Sequence, residues 1–164
     1  MQITSHIAAV SLGAYLCISA YGADGVALYT SASFVEPTKE ASALTTAEMK
    51  QLAKYRSLKY RKSVTVVILN VAALDGKSVT VATPEGEEMT FLGSQKLDEG
   101  GKSHSWNGKS ASRFPNGDAT FTWRGDLRSL YGMFRKDGKV YEVGRLGQFG
   151  TVAELEVFPL REPY

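Results

Sequence analysis

From residue 61 onward, short runs of alternating apolar and polar residues are separated by glycine-containing turns. Ser63 to Val71 reads SVTVVILNV, almost all β-branched or apolar. That composition predicts a central strand, buried on both faces or covered by a helix. Leu74-Asp75-Gly76-Lys77 turns the chain, and Ser78 to Thr83 alternates with Val79 and Val81 on one face. A turn at Pro84-Glu85-Gly86-Glu87 leads to a third strand, Glu88 to Leu92, with Met89 and Phe91 on one side. Asp98 to Gly108, DEGGKSHSWNG, reads as a polar loop carrying one tryptophan. Further strands are predicted at Ser110 to Pro115, anchored by Phe114, and at Ala119 to Arg124, with Phe121 and Trp123 on one face. Arg128 to Arg135, Val140 to Leu146 and Val152 to Phe158 follow. The turns Asn116-Gly117-Asp118 and Lys136-Asp137-Gly138-Lys139 are hairpin signals.

Before this region, Thr45 and Glu48 have the spacing of a capping box, Ser/Thr followed three residues later by Glu. Met49, Leu52, Ala53 and Leu58 recur at helical intervals after it, with Tyr55 beside them, which predicts a helix over 46–59. Residues 24–44 form an N-terminal arm whose one strand-like piece, around Val26 to Tyr29, is broken at Glu36-Pro37. The elements together predict a mainly β fold with minor α+β character. It is a curved antiparallel sheet, a sandwich or a partial barrel of about eight strands with one N-terminal helix. Residues 45–164 would be a single domain.

Residues 7–23 form an apolar run rich in small residues, with no charge before Asp24. Residues 1–23 fit a signal peptide, although MQITSH lacks Lys or Arg and Tyr21 departs from a strict cleavage pattern. A short membrane anchor and a buried segment are the other readings of this run. Signal removal would leave no stable membrane anchor and no cysteine, because Cys17 is the one cysteine of the chain. The expected location is periplasmic or secreted.

The 19 Lys and Arg against 17 Asp and Glu leave a net charge of +2, which gives no electrostatic reason to expect a nucleic-acid partner. The chain carries no HExxH motif, and His6 and His104 lie far apart in sequence. Asp118, Asp126 and Glu142 are isolated carboxylates that read as turn or surface residues. With no nucleophile–base pair and no metal-ligand spacing, the chain is expected not to be an enzyme and to need no cofactor or metal.

The order and punctuation of residues 61–158 resemble the N-terminal pro-domains of secreted bacterial metzincin-type zinc metallopeptidases. The features that carry this are RKSVTVVILNV at 61–71, VTVATPEG at 79–86, SWNG at 105–108, YGMFRKDGKVYEV at 131–143 and AELEVFP at 153–159. Residues 1–164 contain no HExxHxxGxxH motif, and the catalytic domain that follows in that family is expected to be absent. The resemblance implies a stand-alone inhibitor, or immunity-type protein, that binds and blocks a zinc metallopeptidase. Inhibition of that kind needs a loop or tail in the cleft and a group that replaces the zinc-bound water. By residue type the candidates are His104, Asp98, Glu99 and Glu162, with Trp106, Asn107 and Tyr164 as further partner-binding residues. Trp106 is read as an interface anchor or as a core or rim tryptophan fixing its loop, His104 as a ligand or a solvent-exposed loop residue. The tail around Glu162 and Tyr164 is read as a cleft-filling segment or a frayed terminus. The alternative function is a non-catalytic periplasmic β-sandwich module for a ligand or envelope component, using exposed Trp106, Tyr131 and Tyr141.

Overall fold

A computed structural model of the chain describes residues 26–98, 100–113, 116–125 and 129–156. The fold is mainly β: eight antiparallel strands make one sheet curled into a half-barrel, accompanied by two helices. In chain order the elements are α1 (Pro37–Ala43), α2 (Thr46–Arg56), β1 (Arg61–Val67), β2 (Ser78–Ala82), β3 (Glu88–Leu97), β4 (Ser103–Ser110), β5 (Asp118–Arg124), β6 (Tyr131–Lys136), β7 (Lys139–Leu146) and β8 (Phe149–Leu155). The strand order is β1-β8-β7-β6-β5-β4-β3-β2, a meander in which only β1 leaves sequence order.

The concave face carries the larger core. Phe91, Trp106, Phe121, Phe134 and Val143 are almost fully buried there, one from each of β3 to β7, as period-2 alternation requires. Phe91 meets Phe134 edge-on at 6.1 Å, and Phe134 stacks on Tyr141 at 4.8 Å. Such rings fill the curl rather than lining an open cup. A second, smaller core lies on the convex face, where Leu44 and Leu52 pack on Val66 and Leu146.

Several expectations change. The strand from Ser63 ends at Val67 and stands at one end of the sheet, not in its middle. Its β-branched run is explained by burial on two sides, Val67 into the concave core and Val66 under α2. Two helices form rather than one. Pro37 does not merely break the arm but occupies the first turn of α1, where its missing N–H costs nothing. The arm itself is built into the fold: Leu28 and Tyr29 are buried in the main core. Ala27 pairs with Thr80 of β2 and Phe34 with Val67 of β1, so residues 27–34 bridge the two ends of the curled sheet. Backbone bonds from Leu28 N–H to the Thr80 carbonyl (2.9 Å) and from Val35 N–H to the Val66 carbonyl (2.9 Å) fix both contacts. No strand forms over residues 111–113, where the chain bends after β4, and the predicted anchor Phe114 lies outside the described residues. The closing strand begins at Phe149 rather than Val152, because Gly147, at φ 57°, permits a tight β7–β8 turn.

The predicted capping box is present, and it does more than cap. Glu48 accepts from Thr45 N–H (2.8 Å) and Thr45 Oγ1 (2.8 Å), and also from Gln148 N–H (3.3 Å), tying α2 to the β7–β8 turn. These bonds, Thr45 N–H foremost, hold the Glu48 carboxyl below its ordinary value of 4.5. A depressed folded-state value stabilises above the unfolded value, and that contribution is lost as pH falls through the folded one. Glu48→Gln should therefore lower stability at neutral pH by about 1 kcal/mol. Its denaturation midpoint should also fall less steeply than the wild type's below about pH 4.5. Parallel acid limbs in urea titrations would contradict this.

Candidate functional site

The stretch expected to be a free loop is strand β4. Its polar look arises because Ser103, Ser105, Asn107 and Lys109 point to the convex side, while His104, Trp106 and Gly108 face the concave one. Trp106 is fully buried and donates from Nε1 to the Gly76 carbonyl at 2.9 Å. It is a core residue and presents no surface to a partner, which corrects its reading as an interface anchor. A Cβ at Gly108 would sit 2.3 Å from the Trp106 ring, so the SWNG spacing serves packing: the glycine makes room for the indole. Asn107 is exposed on the opposite face from His104 and accepts from Thr120 Oγ1 at 3.0 Å. The three candidates of this stretch are therefore not gathered on one surface.

His104 remains partly exposed at the open end of the curl. Its ring stacks on Trp123 at 5.3 Å with the planes 9° apart, and its Nδ1 lies 2.7 Å from the side-chain amide of Gln95. A glutamine amide carries both a donor and an acceptor. As placed, the amide nitrogen donates to Nδ1, so the neutral ring carries its proton on Nε2; turning the amide over would set its carbonyl against Nδ1–H and leave the Nε2 lone pair for a ligand. A second group holding the far ring nitrogen is the usual support of a metal-binding histidine. Asp98 lies in the β3–β4 turn and is occupied: backbone N–H groups of Ser103 and Lys102, the latter at 2.8 Å, hold its carboxyl below the ordinary range. Glu99, Glu162 and Tyr164 lie outside the described residues. Among the described residues, no three His, Cys, Asp or Glu side chains converge as a metal site.

Sequence reasoning missed three partners of His104 at this end: Gln95, Leu97 and Trp123. The signal was present in β5, where Trp123 follows Phe121 by two, but β3 was stopped at Leu92 and so its extension beside His104 went unread.

The convex face carries a different cluster. Arg61 of β1 reaches across β8 to Glu142 of β7, with Nε to Oε2 at 3.2 Å and a second bond from Nη2 to Oε1. Its guanidinium lies over Tyr55 at 4.6 Å and Tyr60 at 5.5 Å. Burial, and after it the negative charge of Glu142, pushes the nearby Tyr131 phenol up. Glu142, read as an isolated surface carboxylate, is thus a buried ion-pair partner. Tyr141, read as exposed, is buried in the concave core, while Tyr131 is exposed as expected. A shallow groove of about 100 Å³ is lined by Asp118, Thr120, Met133, Phe134, Arg135 and Val140. Small-molecule sites usually run to about 300 Å³ or more.

No family model, curated protein or solved structure matches the chain.

Proposed function

We propose that this chain is a secreted or periplasmic, non-catalytic protein that binds and blocks a zinc metallopeptidase. The observation that carries the reading is His104: partly exposed, its plane set by Trp123 and its Nδ1 hydrogen-bonded to the Gln95 amide. With the Gln95 amide turned to accept from Nδ1–H, a histidine so placed can displace the zinc-bound water of a partner at little entropic cost, since its rotamer is already chosen. The resemblance of residues 61–158 to metzincin pro-domains supplies the class of partner. The mode of blocking differs from a flexible loop filling the cleft, because residues 103–108 are paired on both sides by β3 and β5.

The test is a titration of a metzincin-type peptidase with the folded chain, following activity and complex mass together. One-to-one inhibition is expected, with His104→Ala weakening it by at least about tenfold. Full inhibition by His104→Ala would remove the zinc-directed role, and absence of any complex would sink the inhibitor reading. In that event the convex face, where Tyr60 and Tyr131 are exposed beside Arg61 and Glu142, supports the second reading, a ligand-binding module.

A further inference from the structure

β3 is longer than its neighbour. Pairing with β2 ends at Ser78–Leu92, yet β3 continues to Leu97, paired on its other side with β4 as far as Leu97–His104. Gly93 N–H donates to the Lys77 carbonyl at 2.9 Å, the last bond on the β2 side. Peptide groups alternate in direction along a strand, so those of Gln95 and Leu97 point the same way as Gly93 N–H, away from β4. Among the described residues no backbone group meets them there. Ser94, Gln95, Lys96 and Leu97 are all exposed, and Leu97 shows 57% of its surface.

The other two edges are treated differently. The outer edge of β2 is covered at Thr80 by Ala27 and Leu28. That of β1 is covered at its end by Phe34 and Val35 and interrupted by a bulge at Ser63, φ 51°. Folded proteins blunt exposed edges in these ways because an open one templates pairing with another chain. Among the described residues, the β3 edge at 95–97 has neither cover nor bulge.

We infer that Gln95–Leu97 of β3 takes an extended segment of a partner protein as an added strand, with an acidic residue of that segment facing Lys96 and an apolar neighbour against Leu97. The acidic residue follows from charge: Lys96 stands on the convex side with no ion-pair partner among the described residues. The apolar neighbour follows from Leu97, on the same face as His104 and Trp123. A second copy of this chain fits less well, because the register that fully overlaps residues 95–97 sets Lys96 against its own copy, and like charges directly opposite are unfavourable. Backbone bonds would supply affinity and the two side-chain contacts selectivity. The inference rests on the reading of this chain as a protein-binding module and names the surface used.

The test selects binders to the folded chain from a random library of short linear peptides, then titrates synthetic copies against the labelled protein by NMR. Peptides with an acidic residue next to an apolar one should be recovered and should shift the amides of Gln95 and Leu97. Lys96→Glu should weaken them about fivefold, and a Glu→Lys change in the peptide should restore binding to that variant. N-methylating the peptide at alternate residues should abolish binding in one phase and spare it in the other, a readout that needs no variant of the protein. Recovery of no peptide, shifts elsewhere, equal binding to Lys96→Glu, or a concentration-dependent dimer through this edge would each overturn the inference. Metallopeptidase inhibition unchanged by Lys96→Glu would remove the edge and leave the inhibitor. Peptides captured at the edge with no peptidase inhibited would do the reverse.

Discussion

Trp106→Ala should destabilise the protein by about 3–5 kcal/mol, against a total of roughly 5–15 kcal/mol for an ordinary domain. Trp106 is the largest of the fully buried side chains. Truncation removes its contacts with Phe121, 6.1 Å away between ring centres, and opens a cavity over Gly108 that a β-strand backbone cannot collapse to fill. It also strands the Gly76 carbonyl, which now accepts the indole N–H at 2.9 Å. Urea unfolding followed by circular dichroism measures the loss directly. Any loss of partner binding in this variant should track its unfolded fraction and vanish where the protein is still folded. A change in binding with unchanged stability would mean that the indole reaches a surface, contrary to its burial.

Arg61→Ala should cost a similar amount, about 3–5 kcal/mol, because it leaves Glu142 buried without its counter-charge. The Arg61 and Glu142 side chains keep only 12% and 11% of their surface exposed, so water cannot make up the loss. The guanidinium also fills the space beside Tyr55 and Tyr60, worth a further fraction of a kcal/mol. Replacing both members together, Arg61→Met with Glu142→Leu, should recover most of that stability, since an apolar pair of similar volume avoids desolvating two charges. Arg61 Nη1 is buried without a hydrogen-bond partner among the described residues, which makes the charged pair costlier still. A double-mutant cycle by chemical denaturation measures the coupling. Equal, additive losses for the two single changes would show that the pair contributes only packing.

The strands that could be read in advance are those whose inward residues are large. Phe121 and Trp123 of β5, and Leu130 just before β6 with Gly132 and Phe134 within it, stand out against the residues between them, and the structure buries the large ones as expected. β4 was hidden because its inward positions are His104, Trp106 and two small residues, Gly108 and Ser110, so only one apolar residue marks the face. Gly93 hid the continuation of β3 in the same way: it lies opposite Gly108, where a Cβ would meet the Asn107 carbonyl oxygen at 2.1 Å. The capping box was legible because it is local, three residues apart. The Arg61–Glu142 pair was not, because its members are brought together only by the placing of β8 between β1 and β7. The arm was illegible for the same reason, since Leu28 and Tyr29 find their burial against strands that come far later in the chain. The candidate site was legible in one residue, His104. Its supports come from β3 and β5, and no short-range pattern announces them.

The most direct measurement is amide hydrogen exchange on the folded chain, alone and with a saturating metzincin-type peptidase. In the free protein the Gln95 and Leu97 amides should exchange fast, and the Trp106 indole N–H should exchange only through global unfolding. In the complex the two edge amides should slow, with the strand around His104 protected beside them, while Trp106 stays unchanged. A complex that protects some other face, or the absence of any complex, would contradict the reading of this chain as an inhibitor that works through His104 and the β3 edge.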